Sequence, residues 1–366
     1  MRRTFLILRF LTLTLLVAAF AVAVSTTGFA QQYTRTDLTA DASTTSTMPV
    51  TADPNLVNAW GLSRASGSPW WISDNGTGLS TLYDGTGAPQ ALVVKIPTPD
   101  GTGNAAPTGT VFNYTTGFQV GGKPSVFLFV TEDGTISGWN PTVDLTNAVI
   151  ALNRAGKAIY KGCALAQTKH GALLYVTDFK SRRVRAFDST FHRVHFEDWA
   201  FRDPGVPKSY APFNVQNVGG NLVVTFAKVE SGSTDEQHGP GVGFVSIFDT
   251  RGRLVQRLQH GSWLNAPWGV AASPSDFGAF SHRLLIGNFG DGRINAFNAI
   301  TGKFEGQLLD STNQPLAVDG LWALSFGNNG RAGSAIELYF TAGPNDEANG
   351  LLGKIVPASD QRGNTE

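Results

Sequence analysis

Only one cysteine, Cys163, occurs in the whole chain. A lone thiol can form no internal disulfide, and 366 residues bury enough apolar surface to fold without one, so stability must come from packing. Cys163 sits in the apolar run Gly162-Cys163-Ala164-Leu165-Ala166, which marks it as an inert core thiol. The chain also lacks an excess of either charge. Lys plus Arg and Asp plus Glu number 28 each, so no net field draws the protein to nucleic acid or to an anionic membrane surface. There is no GxSxG elbow, no P-loop, no CxxC pair and no HExxH helix, so the common signatures of hydrolases, nucleotide enzymes and zinc sites are missing. The six histidines do not cluster, and the odd spacing of His192 and His195 on a strand turns them to opposite faces. No residue is assigned a catalytic role, and the reading leans away from an enzyme.

What is abundant points one way. With 42 Gly, 18 Pro and 11% aromatic residues, the composition suits short strands joined by many tight turns and almost no helix. The first thirty residues stand apart. Arg2-Arg3, the uncharged run over residues 10–24 and the small-residue ending Gly28-Phe29-Ala30 have the layout of a secretory signal cleaved after Ala30. A membrane anchor is the alternative, but Arg9, Thr12 and Thr14 interrupt the apolar stretch. Arg2-Arg3-Thr4-Phe5-Leu6 resembles part of a twin-arginine export signal, leaving the export route open. The expected product is periplasmic or extracellular, without a membrane span, and monomeric. Residues 31–358 read as one domain, and residues 359–366 as a disordered polar tail.

Within that domain a phrase recurs. Leu82-Tyr83-Asp84-Gly85, Gly138-Trp139-Asn140-Pro141, Ala186-Phe187-Asp188-Ser189, Ile247-Phe248-Asp249-Thr250 and Ala296-Phe297-Asn298-Ala299 each place an aromatic before Asp or Asn. The aromatic fills a core slot on a strand of period two, and the Asx side chain starts a turn by bonding the backbone two residues on. An apolar strand precedes each phrase and a small-residue strand precedes that, opening near Trp60, Gly109, Gly162, Phe213, Trp268 and Trp322. The period of about 52 is that of a propeller blade with four strands, and six copies make a six-bladed β-propeller. An all-β sandwich gives no reason for such a repeat. The sixth unit lacks a fourth strand after Leu351-Leu352-Gly353-Lys354-Ile355-Val356, and residues 33–41 are expected to supply it, closing the ring and covering an exposed edge.

In such a ring the first-strand lead-ins and the second-to-third loops gather at one mouth of the channel. Asn58, Trp60, Asn265, Trp268, Asp319 and Trp322 come from the lead-ins; Asp74, Asn75, Glu132, Asp178 and Asn288 come from the loops. Together they form the expected ligand-binding set, with Asp133, Lys180, Lys228, Asp291, Asn345 and Asp346 nearby. Oxygen-bearing side chains from several blades suit a hard divalent cation such as calcium, for which Asp178, Asn58, Asn265 and Asp319 are the candidates. The tryptophans suit either an aromatic rim for sugar rings or packing between blades. Residues 228–241 form a polar loop longer than a turn requires, placed to act as a lid, a ligand arm or a solvated insertion. The Pro- and Gly-rich residues 97–107 read as a spacer.

The chain resembles six-bladed propellers of the NHL-repeat and gluconolactonase type. Asn58-Ala59-Trp60-Gly61-Leu62, Asn75-Gly76-Thr77-Gly78, Gly239-Pro240-Gly241-Val242-Gly243-Phe244, Asn265-Ala266-Pro267-Trp268-Gly269-Val270 and Tyr339-Phe340-Thr341-Ala342-Gly343-Pro344 resemble, more closely, a family of exported bacterial propeller proteins. That family implies the fold and an exported location, and no particular reaction. Some members carry a Pro-Glu-Pro sorting tail; this chain ends in Gly363-Asn364-Thr365-Glu366. The gluconolactonase resemblance implies a divalent cation at the mouth and hydrolysis of a sugar lactone. Asp178 matches one ligand position, while Asn58 stands where those enzymes place a Glu. Two functions follow: an exported, non-catalytic propeller that binds a protein or carbohydrate-like ligand at the mouth, or a metal-dependent hydrolase using the same mouth. Intact mass of the protein recovered after export is expected to place the first residue at Gln31; retention of residues 1–30 would overturn the signal reading.

Overall fold

The computed structural model describes residues 32–358 apart from residues 43, 44 and 49. The expected signal and polar tail lie outside the described residues. Six small antiparallel sheets form the ring of a six-bladed β-propeller. Among the described residues the only helical element is a single 3-10 turn, Gly278–Phe280, and no helix is long and apolar enough to cross a membrane.

Each blade runs outward from the axis. In blade 1 the order is Ala59–Ser63, Trp70–Asp74, Leu79–Tyr83 and Val94–Lys95. Blade 2 repeats it from Pro107–Phe112 to Val149–Asn153, blade 3 from Tyr160–Thr168 to Arg193–Val194, blade 4 from Tyr210–Val218 to Leu254–Arg257 and blade 5 from Pro267–Ala272 to Phe304–Gln307. The outermost strands of blades 1 and 3 are shorter than their sequence pattern suggests, two residues each. All five Asx residues behave as turn-makers: Oδ1 of Asp84, Asn140, Asp188, Asp249 and Asn298 accepts the backbone N–H two residues on at 2.8, 2.8, 2.9, 2.8 and 3.0 Å.

The core lies between blades, and strand alternation explains it. In Gly171–Asp178, Leu174 and Val176 pack with Leu128, Val130 and Ile136 of blade 2, whereas Tyr175 packs with Val215, Leu222 and Val224 of blade 4. In Asn221–Val229, Val223 instead faces Leu284 and Ile286 of blade 5. Trp71 joins blades 1 and 2, stacked on Phe127 at 4.3 Å and tilted against Trp139 at 4.7 Å. Both faces of every middle strand are therefore apolar and need a neighbour. At the axis the inner strands approach within backbone contact. A Cβ on Gly61 would lie 2.2 Å from the Thr108 carbonyl oxygen, and one on Gly109 would lie 2.6 Å from the Cys163 nitrogen.

Blade 6 closes the ring as the sequence suggests. Leu321–Phe326, Leu338–Ala342 and Leu351–Pro357 are followed by Tyr33–Ala40, which pairs antiparallel with Leu351–Pro357 from Tyr33↔Pro357 to Ala40↔Leu351. A bulge between Asp37 and Thr39 resets the alternation, so the buried residues are Tyr33, Asp37, Thr39 and Ala40. The Tyr33 hydroxyl donates to the Phe277 carbonyl at 2.9 Å and accepts from the Phe280 N–H at 3.2 Å. Its ring lies 5.0 Å from that of Phe277. Replacing Tyr33 with Ala is expected to destabilise the protein by about 3 kcal/mol or more, read as a lowered denaturation midpoint. The exposed neighbour substitution Thr34→Ala should leave the midpoint nearly unchanged.

Candidate functional site: a stoppered, charged mouth

Every blade carries a β-bulge between its two innermost strands near the mouth. The register breaks between Ala59 and Leu62, Pro107 and Thr110, Tyr160 and Gly162, Pro212 and Asn214, Pro267 and Gly269, and Leu321 and Leu324, each time with the extra residue on the innermost strand. A bulge re-aims a side chain. The residues at these positions are Trp60, Thr108, Lys161, Phe213, Trp268 and Trp322, all buried and one from each blade. Hydroxyls tie the bulged backbone to the next blade: Thr108 donates to the Tyr160 carbonyl at 2.8 Å and Thr177 to that of Phe213 at 3.1 Å.

The aromatic members fill the axis. Trp322 stacks on Trp60 at 3.7 Å and on Phe289 at 3.9 Å, while Trp268 meets Trp60 and Trp322 edge-on at 6.4 and 5.9 Å. Beneath them, a space of about 20 Å³ beside Gly61, Cys163 and Asn214 is all that this cavity retains, little more than one water occupies. Trp60, Trp268 and Trp322 are 1%, 4% and 0% exposed, so of their two expected uses the structure displays packing.

Lys161 is the one charged member of the ring, and its side chain is 2% exposed. Its ammonium lies 2.7 Å from Glu132 of blade 2 and 3.6 and 3.8 Å from Glu236 and Asp235 of blade 4. It also sits above the rings of Trp60, Phe179 and Phe213, 5.1 to 5.9 Å from their centres. Burial opposes the charge, but Glu132 and Glu236 outweigh burial and hold the ammonium above its ordinary range. Conversely, Lys161 keeps the buried Glu236 ionised: burial raises its carboxyl, yet the balance with Lys161 leaves it below the usual value.

A hydrogen-bonded belt links this cluster to blades 1 and 6. Trp322 Nε1 donates to Asn58 Oδ1 at 2.9 Å; Asn58 Nδ2 donates to Glu347 at 2.5 Å and to Asn75 Oδ1 at 3.3 Å; Asn75 Nδ2 donates to Glu132 at 3.1 Å. Glu347 is pushed up to about 7, first by burial and then by the negative charge of Glu236. His238, 3.8 Å from Glu236, is raised by its bond to that carboxylate. Glu236 and His238 belong to the long blade 4 loop. That loop folds back as a short hairpin, with Lys228 opposite Gln237 and Val229 opposite Glu236, and Asn265 Oδ1 pins it by accepting the Gly239 N–H at 2.7 Å.

Of the residues expected from sequence, Asn58, Trp60, Asn75, Glu132, Trp268 and Trp322 converge around Lys161. The others bond elsewhere, Asn265 to the blade 4 loop. Asp74 is fully buried and accepts from Thr81 N and Oγ1 at 2.9 and 2.8 Å, and burial pushes its carboxyl well above the usual range. Asp178 accepts from Ser181 Oγ at 2.5 Å, Asn288 donates to the Trp263 carbonyl at 2.8 Å and Asp319 accepts the Asn345 N–H at 2.9 Å. Asn58, Asp178, Asn265 and Asp319 are thus tied to different partners. Among the described residues no group of three or more His, Cys, Asp or Glu side chains is placed to hold a metal ion. The divalent cation implied by the lactonase resemblance does not fit this donor set, because the acids that do converge already surround a lysine.

The long loop expected at the mouth supplies Glu236 and His238, while Lys161, Glu347, Phe179 and Phe289 join the site without being among the residues expected there. One pattern would have found Lys161: Trp60-Gly61, Thr108-Gly109, Lys161-Gly162 and Trp268-Gly269 align as a residue before glycine, placing Lys161 in the tryptophan position. Aligning the tryptophans with Gly109 and Gly162 shifts blades 2 and 3 by one residue and hides it.

Fold and mouth together define a six-bladed propeller whose axis is closed by aromatic rings and topped by a charged belt. Uncharacterized protein L690 of Acanthamoeba polyphaga mimivirus is 33% identical over 319 residues, covering 83% of this chain and 81% of that protein, and the chain belongs to its family. No family model matches. Among solved structures, a glucose dehydrogenase superimposes with a TM-score of 0.51 at 14% identity, over 89% of this chain and 100% of that one. A streptogramin B lyase gives 0.50 at 11% identity, over 89% and 97%. At these identities the likeness is one of fold.

Glu347 makes the mouth pH-sensitive. Its folded value near 7 exceeds the ordinary 4.5, so the folded protein holds a proton that the unfolded chain has lost, and its contribution to stability is full below about pH 4.5 and declines as pH rises through 7. Relative to wild type, Glu347→Gln is expected to gain stability between pH 5 and 8, by an amount on the order of 1 to 3 kcal/mol. Denaturant midpoints measured across that range check this; parallel profiles for the two proteins would contradict it.

Proposed function

We propose that the protein recognises a ligand or protein partner across this mouth through positively charged or hydroxyl-rich groups, without a resident metal. The observation that carries the reading is the excess of acid around one fixed cation. Glu132, Asp235, Glu236 and Glu347 meet a single lysine, and Asp235, with 65% of its side chain exposed, is open to a visitor. Perturbed titrating groups drawn from several chain segments cluster at functional sites. The aromatic stopper below supports binding at the surface of the mouth over passage along the channel. Export of the mature domain, as the N-terminal pattern and the likeness to exported bacterial propellers suggest, is compatible with this role.

The metal-dependent hydrolase reading is less well supported, since a divalent cation at the converging acids would have to displace Lys161 against short ion pairs. The test uses the mature protein. Tetralysine is expected to bind in calorimetry, with about tenfold loss in the Glu132→Gln, Asp235→Asn double variant, while calcium gives no thermal shift. Absence of tetralysine binding, or binding indifferent to those substitutions, would overturn the recognition reading. A calcium-dependent rise in denaturation temperature would restore the metal reading.

A further inference from the structure

A second surface, separate from the belt around Lys161, lies in the cleft between blades 3 and 4. A cavity of about 490 Å³ is walled there by Arg182, Arg183, Trp199, Arg202, Lys208 and Tyr210. Trp199 also walls a neighbouring hollow of about 370 Å³ lined by Glu197, Arg251 and Arg253, of which Arg253 pairs with Asp249 at 3.1 Å and Arg251 forms no ion pair among the described residues. The indole, 52% exposed, is therefore a ridge between a basic hollow and a second, mixed-charge one. It stands on an anchored turn: two residues on, Phe201 is 5% exposed, packs 5.7 Å from Tyr175 and 5.6 Å from Phe248, and donates its N–H to the Gly252 carbonyl at 2.8 Å. An exposed tryptophan held this firmly loses little freedom on binding.

The charge of the first hollow is largely unmatched: Arg182 donates to the neutral Lys208 carbonyl at 2.8 Å and Arg183 to that of Asp198 at 3.3 Å. Its buried acid, Asp203, is consumed by Arg257, by Ser246 Oγ at 2.7 Å and by the Gly205 N–H at 2.9 Å. Arg183 reaches only the fully exposed Asp198, at 3.9 Å. Among the described residues, the side chains of Arg202, Lys208, Trp199 and Tyr210 make no hydrogen bond or ion pair. Burial and the nearby charge of Arg202 both disfavour the Arg183 cation, so an anion entering the hollow would relieve a standing repulsion.

We propose that this cleft binds an acidic oligosaccharide, a chain of uronic-acid-type sugars whose ring lies on Trp199 and whose carboxylates are taken by the guanidinium groups of Arg183 and Arg202. Guanidinium forks match carboxylates in a paired geometry, and an indole face offers a broad apolar surface to a ring. Two hollows on either side of one aromatic suit a chain longer than a single sugar. A nucleic acid fits less well, because single strands are held by successive aromatics along a basic track and Trp199 stands alone between the hollows.

Calorimetry with tetragalacturonate decides the matter, with maltotetraose and an oligothymidylate as comparison ligands. Saturable tetragalacturonate binding is expected, weakened about tenfold by Trp199→Ala, as much by Arg183→Gln with Arg202→Gln, and by added salt. Lys208→Gln, an exposed substitution that leaves the fold alone, should weaken it a few-fold. Glu347→Gln at the mouth should leave it unchanged, which separates this site from the mouth. No binding, equal binding of maltotetraose, tighter binding of oligothymidylate, or affinity indifferent to these cleft substitutions would each overturn the proposal.

Discussion

The pairing of Tyr33–Ala40 with Leu351–Pro357 is the contact on which the rest of the molecule depends. Each blade is apolar on both faces, and the core clusters lie between blades rather than within them. An open row of such sheets would leave two apolar faces and two strand edges in water. Closing the row into a circle removes the faces, and giving the last blade its outer strand from the other end of the chain fastens the circle. Local strand preference alone would not achieve this, since each unit is stable only when its neighbours are in place.

Closure also creates the chemistry at the mouth. Neighbouring blades set Lys161 of blade 3 between Glu132 of blade 2 and Glu236 of blade 4, and closure brings blade 6 to blade 1, where Trp322 stacks on Trp60 and Glu347 accepts from Asn58. A cation supplied by a side chain differs from one drawn from solution. It cannot be diluted or chelated away, and its position is fixed by the bulge that aims it. The acids around it are consequently organised for as long as the fold persists, and the Glu347 proton is the adjustable element of the group.

Fold was the most legible part of the sequence. The aromatic-Asx phrase fixes the third strand and its turn, and the lack of a fourth strand after Val356 points to the N-terminal segment as the closing piece. These signals are local, written in runs of five or six residues. The site was only half legible, because its geometry arises from the bulges. A bulge moves the register by one residue, enough to turn Lys161 from an apparent interruption of an apolar strand into a member of the axial ring. Asp74 and Asp178 looked like mouth ligands by position, yet short-range bonds to Thr81 and Ser181 turn their carboxylates inward. Glu347 and His238 lie in irregular loops, where no periodicity reports direction.

The closing strand brings the two ends of the domain together: the Ala358 N–H bonds the Gln32 carbonyl at 2.7 Å, at the outer edge of blade 6. The strand pairing there begins at Tyr33 and finishes at Pro357, the end of the blade away from the mouth. A tether or fusion joined at either end accordingly departs from the back of the disc. Immobilised by that edge, the propeller presents its charged front unobstructed, and a short peptide bridging the two ends would convert the chain into a covalent loop without disturbing a single blade.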